Sequence, residues 1–166
     1  YKKYPNQGLY FSCLRLLKNM LDLPIPIEKF VSHLLTWYEE NKRDLPWRKN
    51  SDPYQIWISE IMLQQTQVAT VIPFYKTFLK AYPTLESLAQ AKESDILSSW
   101  SGLGYYRRAR NLHEAAQIVK NEFGGCFPKE YRKAIQLPGI GRYTAGAILS
   151  IAYGEPLPIL DGNVSR

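Results

Sequence analysis

Cysteine is scarce in this chain of 166 residues, which carries only Cys13 and Cys126. Two thiols cannot form the disulfide framework of a small secreted domain, and they cannot supply the four thiolates of an iron–sulfur cluster. His33 and His113 have no partners at the spacing of metal ligands. We therefore expect a cytoplasmic protein in which these side chains are structural or at the surface and bind no metal.

Long hydrophobic runs are also missing, because no apolar stretch approaches the roughly 18 residues of a membrane span. The nearest candidate, Leu9 to Leu23, is interrupted by Arg15, Lys18 and Asp22. These charges also make it a poor signal peptide, and no small-residue cleavage site follows it. The sequence predicts no membrane partner, and residues 1–26 form an N-terminal extension of uncertain role.

Other absences narrow the chemistry. The sequence has no GxxxxGK phosphate loop and no motif typical of a serine or cysteine nucleophile. Apolar and polar residues alternate nowhere over a useful length, so almost no β-strand is expected. What is present is a 45% apolar, aromatic-rich chain with a net charge of +6. Such a chain can form a real core and is compatible with a nucleic-acid partner.

Helical periodicity fills the chain after residue 26, which predicts an all-α bundle of short helices. Asp52 and Pro53 have the residue types of a helix N-cap and a first helical position, and Gly124 ends a long helix. The predicted helices span residues 27–42, 53–68, 71–82, 84–91, 94–100, 112–123, 130–136 and 144–152.

The stretch Leu137 to Ile148 holds a glycine hairpin between the last two of these helices. Pro138 blocks the first helix, while Gly139 and Gly141 allow the chain to reverse within a few residues. The amides of such a hairpin lie beside a helix N-terminus and are suited to hold a phosphate. The alternative is a glycine-capped turn that only joins two packed helices.

Glu60 is a carboxylate in a helix that is apolar on nearly every side, with Ile56, Trp57, Ile61 and Leu63 around it. A helix this apolar is buried, and burial raises the pKa of a carboxyl group until it can donate a proton near neutral pH. The alternative is a glutamate whose charge is satisfied by an arginine elsewhere in the core.

Asp161 follows the hairpin after one helix and a turn, which could return it to the hairpin and bring it near Glu60. Two carboxylates in unlike environments, one buried and one exposed in a turn, are suited to breaking a glycosidic bond. Taken alone, Asp161 has the residue type of a helix N-cap, and the two roles are compatible.

The segment 102–110 places two tyrosines and three arginines after a glycine turn. An aromatic wedge beside guanidinium groups is suited to unstack a duplex and to hold its phosphates, which would involve Arg107, Arg108 and Arg110. The alternative is a solvated, basic start of a helix with one packed tyrosine.

These stretches, in this order, resemble the helix-hairpin-helix DNA glycosylases, and most closely the A/G-mismatch adenine glycosylases (the MutY family). The resemblance runs from about Phe30 to Arg166 and leaves the N-terminal extension outside. The segments that carry it are RDLPW at 43–47, WISEIMLQQTQ at 57–67, GLGYY at 102–106, LPGIG at 137–141 and LDGNV at 160–164.

The resemblance implies the helix-hairpin-helix DNA glycosylase fold. The implied divisions are a six-helix bundle over 49–157 with the helix-hairpin-helix motif at 130–153, and parts of a second helical lobe at 27–48 and 158–166. The family's [4Fe–4S] cluster uses four cysteines downstream of the segment matching Asp161, and this chain begins without methionine and ends at Arg166. We therefore expect a fragment that binds no cluster and is inactive alone, whereas the complete protein carries the cluster and an 8-oxoguanine-sensing domain.

The implied activity is excision of adenine opposite 8-oxoguanine or guanine in double-stranded DNA, by a bacterial-type, nucleoid-associated monomer that flips the base from the stack. Glu60 would protonate adenine N7, and Asp161 would stabilise or capture the oxocarbenium ion. Tyr143 and Asn163 would assist around the sugar and the carboxylates. Endonuclease III-like relatives carry a nucleophilic lysine where this chain has Tyr143, so the resemblance implies a monofunctional glycosylase rather than a lyase.

The resemblance also assigns side chains and amides that bind the DNA. The adenine pocket would be lined by Arg43, Trp47, Arg48 and Leu63. The base stack would be entered by Gln65 and Tyr105. A phosphate would be bound by Gly139, Ile140, Gly141 and Arg107. Two other functions remain open: a related glycosylase that removes another base, such as thymine from a G·T pair, and a non-catalytic module that only binds DNA.

Overall fold

The computed structural model describes residues 26–159, and within this range the chain is helical and contains no β-strand. Its helices are α1 (Ile27–Asn41), α2 (Pro53–Leu63), α3 (Val68–Ala81), α4 (Leu85–Gln90), α5 (Glu93–Ser99), α6 (Arg107–Glu122), α7 (Tyr131–Ala134) and α8 (Arg142–Tyr153), with a 3₁₀ turn at Pro46–Arg48. This confirms the all-α prediction. None of the helices in this range is long and apolar enough to cross a membrane.

Residue contacts divide the chain into two compact units, residues 1–44 and residues 45–166. In the first unit, α1 is the amphipathic helix predicted from the spacing of its apolar residues. Several large apolar side chains of α1 are at least 40% exposed, namely Phe30, Leu34, Leu35, Trp37 and Tyr38. The helix is capped by Lys42, whose amide donates to the Tyr38 carbonyl over 2.8 Å.

Helix α2 is the centre of the second unit, as its apolar sequence predicts. It packs most extensively against α8, and also against α3 and α6. Trp57, Ile58 and Met62 are fully buried on it, and the Trp57 ring meets the edge of Phe127 at 5.2 Å between centroids. The helix begins as predicted, because the Asp52 side chain accepts a hydrogen bond from the amide two residues later.

The boundaries of three helices differ from the prediction by three residues or more. Helix α2 ends at Leu63 rather than at Val68, and α3 begins at Val68 rather than three residues later. The apolar spacing continued across this break because Leu63 and Val68 both pack against the core from separate helices. Helix α6 begins at Arg107, five residues before the predicted start at Leu112, because an arginine and an alanine occupy its first buried positions.

Candidate active site

An open groove with a volume of about 830 Å³ lies in the second unit, between the end of α2, the start of α6 and the start of α8. The predicted site residues that line it are Glu60, Leu63, Gln65, Tyr105, Arg107 and Tyr143. Its other lining residues are Gln64, Tyr106, Arg108, Arg110 and Asn111. Of these, Arg108 and Arg110 are also predicted to hold phosphates, whereas Gln64 and Asn111 are not among the predicted site residues. The fold therefore brings Glu60 to one surface with the two residues predicted to enter the base stack, Gln65 and Tyr105. Arg107, a predicted phosphate ligand, lies on the same surface.

Glu60 reaches this groove from the central helix. Burial penalises the carboxylate and raises the pKa of Glu60 to about 7, and a hydrogen bond with the Tyr143 side chain offsets part of this rise. No arginine of the described range forms an ion pair with Glu60. A carboxyl group with this pKa is a competent proton donor at neutral pH.

Gln65 and Tyr105 have an unusual backbone. Their φ angles are +56° and +48°, and they are the only non-glycine residues with positive φ between residues 26 and 159. A left-handed conformation costs a residue with a side chain about 1–2 kcal/mol, so it persists only where the surroundings hold it. Both side chains are exposed at the groove. Their conformation is therefore imposed by the fold at the positions predicted to enter the base stack.

The glycine hairpin takes the predicted form, outside the lining of the groove. Gly139 has φ +75°, and Gly141 is the N-cap of α8. The Ile140 amide donates to the Leu137 carbonyl over 3.1 Å, and the Ile140 side chain is buried. The amides of Gly139 and Gly141 donate to no acceptor in the described part of the chain. Of the three amides predicted to bind a phosphate, those of Gly139 and Gly141 are therefore available to do so. The Ile140 amide instead stabilises the turn through its hydrogen bond to Leu137.

Replacing Gly139 by alanine is expected to destabilise the fold. A Cβ at this position would lie 2.9 Å from Cβ of Asn111, in addition to carrying the strain of a positive φ. Gly154 is the matched control, because it has nearly the same φ, +72°, and nothing within 4 Å of an added Cβ. We expect Gly139→Ala to lower the free energy of unfolding by about 1–3 kcal/mol more than Gly154→Ala does. Urea unfolding measures the difference, and equal stabilities would contradict the close packing of the hairpin.

Two residues predicted for the adenine pocket, Trp47 and Arg48, do not line the groove. Trp47 is buried and packs edge-on against the Tyr75 ring at 5.3 Å between centroids, and Arg48 is exposed; neither lines the groove. Arg43 belongs to the first unit. Asp161 and Asn163 lie outside the described residues. The roles of these residues stay predictions.

The prediction that three neighbouring arginines bind DNA phosphates is wrong for Arg108. Its side chain is buried and donates to the Ile61 and Met62 carbonyls at the end of α2, over 3.0 and 2.8 Å. The sequence did carry a signal for this, because Arg108 precedes Leu112 by four residues and so lies on the buried face of α6. Arg107 and Arg110 are exposed, and Arg110 pairs with Glu93 over 3.2 Å.

Gln64 is a second residue that sequence reasoning did not place. Its side-chain amide donates to the Thr144 hydroxyl over 3.3 Å, which links the end of α2 to the first turn of α8. The same turn of α8 carries Tyr143, so this bond helps to hold the two sides of the groove that meet at Glu60. A glutamine in a polar run gave no periodic signal for this contact.

The residues present do not fit a [4Fe–4S] cluster. Between residues 26 and 159, no group of three or more His, Cys, Asp and Glu side chains could hold a metal. Cys126 is a free, exposed thiol, and Cys13 lies outside the described residues. The cluster stays a prediction for the complete protein.

A helical bundle that carries a partly buried acid in an open groove beside a glycine hairpin has the features of a helix-hairpin-helix DNA-repair protein. Residues 58–166 match the HhH-GPD superfamily of base excision DNA repair proteins. The chain belongs to this family.

Known relatives agree with this assignment. The adenine DNA glycosylase of Buchnera aphidicola subsp. Acyrthosiphon pisum is 52% identical over 138 residues, which cover 82% of this chain and 39% of that protein. The human adenine DNA glycosylase is 48% identical over 149 residues, covering 84% of this chain and 27% of that protein. The structure of a thermostable thymine-DNA glycosylase superposes with a TM-score of 0.75 at 35% identity, over 82% of this chain and 63% of that one. The chain thus spans about two fifths of the length of the bacterial relative.

Proposed function

We propose that this chain is the catalytic part of an adenine DNA glycosylase, which hydrolyses the N-glycosidic bond of adenine mispaired with 8-oxoguanine or guanine. The observation that carries the proposal is the partly buried Glu60, whose pKa is about 7, in a groove open to a large ligand. The choice of adenine is supported by the names of the relatives that are 52% and 48% identical to this chain.

In the proposed reaction, the Glu60 carboxyl group donates its proton to N7 of the flipped adenine. The bond between C1′ and N9 then breaks, its electron pair stays with the base, and adenine leaves as a neutral molecule. The Tyr143 hydroxyl donates a hydrogen bond to the carboxylate that remains on Glu60, which stabilises the charge formed by proton transfer.

The sugar is left as an oxocarbenium ion, which Asp161 would stabilise or capture before water adds to C1′ and loses a proton. Support comes from the chain just before Asp161, because the Pro158 carbonyl oxygen would lie 3.0 Å from a Cβ placed on Gly146. Gly146 is one helical turn from Tyr143 on α8. The chain that leads to Asp161 therefore passes over the helix that carries a partner of Glu60, and Asn163 follows two residues later.

DNA would be held at three places. Gln65 and Tyr105 would enter the base stack beside the lesion and favour the extrahelical adenine, whose unstacking costs a few kcal/mol. The amides of Gly139 and Gly141 would bind a phosphate at the N-terminus of α8, and the exposed Arg107 would bind another. Arg43, Trp47 and Arg48 remain candidates for the adenine pocket, together with Leu63 in the groove.

Base-excision assays on matched duplexes test the proposal. The complete protein is incubated with duplexes containing A·8-oxoguanine, A·G or T·G pairs, and abasic sites are revealed by alkali. We expect cleavage at adenine in the first two duplexes and none at thymine. Release of thymine alone would instead favour the activity named for the thymine-DNA glycosylase that is 35% identical to this chain.

Strand cutting through a covalent intermediate is not expected. The phenol of Tyr143 cannot form a Schiff base, although it lies in the groove where an amine would be needed. Borohydride added during the reaction should therefore trap no protein–DNA complex, while a lyase with an active-site lysine, run in parallel, should give a trapped band. A trapped band with this protein would show that another amine acts as nucleophile and would overturn the monofunctional assignment.

A further inference from the structure

The two left-handed residues at the groove lie on turns that are far apart in the sequence. Gln65 lies in the turn that follows α2, here called the glutamine turn (residues 64–66), and Tyr105 lies in the turn that precedes α6, the tyrosine turn (residues 103–105). Because a left-handed conformation is costly for a residue with a side chain, some contact must hold each turn in place.

Arg108 contacts the glutamine turn through both of its terminal nitrogens. Nη1 donates to the Gln64 carbonyl, and Nη2 donates to the Thr66 hydroxyl over 3.1 Å. The Thr66 hydroxyl in turn donates to the Gln64 carbonyl over 3.3 Å. These bonds fix the backbone on both sides of Gln65.

The same guanidinium group contacts the tyrosine turn. Nη2 donates to the Leu103 and Gly104 carbonyls over 3.4 and 3.3 Å. Cζ of Arg108 lies 5.4 Å from the centroid of the Tyr105 ring and 5.6 Å from that of Trp100. The wedge ring and the carbonyls that precede it therefore rest on one buried cation.

No carboxylate forms an ion pair with this cation in the described part of the chain. A buried charge is costly unless it is hydrogen-bonded. Here backbone carbonyls and one hydroxyl accept from both terminal nitrogens, while Nε has no hydrogen-bond partner in the described part of the chain. A residue whose only role was to cap the C-terminus of α2 would donate hydrogen bonds only to the carbonyls of that helix. The bonds to the tyrosine turn add nothing to such a cap, so a different role is indicated.

We propose that Arg108 is a positioning residue that joins the glutamine turn and the tyrosine turn into one unit, so that Gln65 and Tyr105 enter the base stack together. This inference rests on the proposed function in one respect, namely that both side chains enter DNA. Both turns accept hydrogen bonds from the same planar guanidinium group. If one strained turn relaxes and the guanidinium moves with it, the hydrogen bonds to the other turn are lost. Insertion of one wedge therefore depends on the position of the other.

The test is a double-mutant cycle on DNA unstacking, measured with the complete protein. Fluorescence of 2-aminopurine placed next to an A·8-oxoguanine pair reports the unstacking, and adenine release is measured in parallel. Gln65→Ala, Tyr105→Ala and the double variant are compared in the natural sequence and in an Arg108→Lys background. Lysine keeps the charge but, as a single ammonium group, cannot bridge both turns. Arg132→Lys, at an exposed position on α7, controls for arginine replacement as such.

In the natural sequence we expect either single substitution to remove most of the unstacking signal, at least about tenfold, so that the double variant is scarcely worse than the worse single one. In the Arg108→Lys background the single effects should be smaller and should multiply. If Arg108→Lys does not fold, Thr66→Val replaces it. This change removes the two hydrogen bonds of the Thr66 hydroxyl, from Nη2 of Arg108 and to the Gln64 carbonyl, and keeps the guanidinium group. It should reduce the coupling in the same direction.

Independent, multiplying effects in the natural sequence would overturn the inference. The inference would also be overturned if the double-mutant cycle gave the same coupling in the Arg108→Lys background as in the natural sequence while the melting temperature fell. That result would mean that Arg108 only caps helix α2. Absence of unstacking by the unmodified protein would also overturn it. Because unstacking needs no base release, a protein that unstacks with coupled wedges but releases no adenine would contradict the proposed function and leave this inference standing.

Discussion

Glu60→Gln is expected to abolish adenine release by the complete protein while leaving its affinity for the duplex nearly unchanged. Glutamine has the size of glutamate and can still accept a hydrogen bond from Tyr143, but it has no proton to deliver to N7. General acid catalysis contributes about 10²–10⁴ in rate, and a glycosylase that depends on a protonated leaving group can lose more. Single-turnover kinetics and filter binding measure the two quantities separately.

The pH dependence gives this prediction a second readout. Because the pKa of Glu60 is about 7, the acid form disappears as pH rises through neutrality. The rate of the natural protein should therefore fall by about tenfold per pH unit above that value. The residual rate of Glu60→Gln should show no such step.

Glu60→Gln should lower the activity of the protein but raise its stability at neutral and alkaline pH. The pKa of Glu60 in the folded protein lies above its ordinary value of 4.5, so the protonated form is the one that folding favours. The natural protein therefore loses stability as pH rises from about 4.5 to about 7, whereas Glu60→Gln does not. We expect the variant to be more stable at pH 8 by about 1–3 kcal/mol, a gain that vanishes below the ordinary pKa. Thermal unfolding at pH 8 and at pH 4 measures it and shows that the variant is folded.

Glu114→Gln is the matched control, because Glu114 is an exposed glutamate on α6 outside the groove. Its activity, pH profile and stability should stay close to those of the natural protein. If Glu60→Gln retained activity within about tenfold of the natural protein, another group would have to supply the proton.

Gln65→Ala is expected to reduce kcat/KM for adenine release by about 10–100-fold, the next largest effect. Loss of the wedge side chain removes part of what offsets the few kcal/mol of unstacking, and about 1.4 kcal/mol corresponds to each factor of ten. The chemistry at Glu60 is untouched, so the rate from a duplex in which the adenine is already unpaired should change much less.

Gln67→Ala provides the comparison two residues away. Gln67 is also exposed, does not line the groove, and makes no side-chain cap at the start of α3. Its replacement should leave kcat/KM within about twofold, since surface substitutions away from such features change free energies by about 0.5 kcal/mol or less. Equal losses in the two variants would contradict the wedge role of Gln65.

The parts of the fold that rest on periodicity followed directly from the sequence. Helix α2 was recognisable as central because it is apolar on nearly every side, and the same apolar surroundings indicated the raised pKa of Glu60. The hairpin followed from Pro138 and the two glycines after it, of which Gly139 has the positive φ that favours glycine. These features depend on residues within one helical turn of each other, which is the range over which sequence patterns carry information.

The parts that could not be predicted depend on contacts between distant segments. The spacing of Arg108 from Leu112 indicates the buried face of α6, but only the approach of two turns shows which groups accept its hydrogen bonds. The sequence pattern predicts Gln65 as part of a continuing helix, whereas its backbone is left-handed and its two neighbours are contacted by that distant arginine. Trp47 packs against Tyr75 in the core, a contact that its motif could not indicate.

The central claim is that Glu60 breaks the glycosidic bond by protonating N7 of adenine, and a substrate with one altered atom tests it most directly. In 7-deaza-2′-deoxyadenosine a C–H group replaces N7, so the base can pair and flip but cannot receive the proton. Single-turnover release is measured with the complete protein from otherwise identical duplexes that carry either base opposite 8-oxoguanine. We expect rapid release of adenine, no release of the deaza base, and equal affinity for the two duplexes. Release of the deaza base at a rate close to that of adenine would contradict the account.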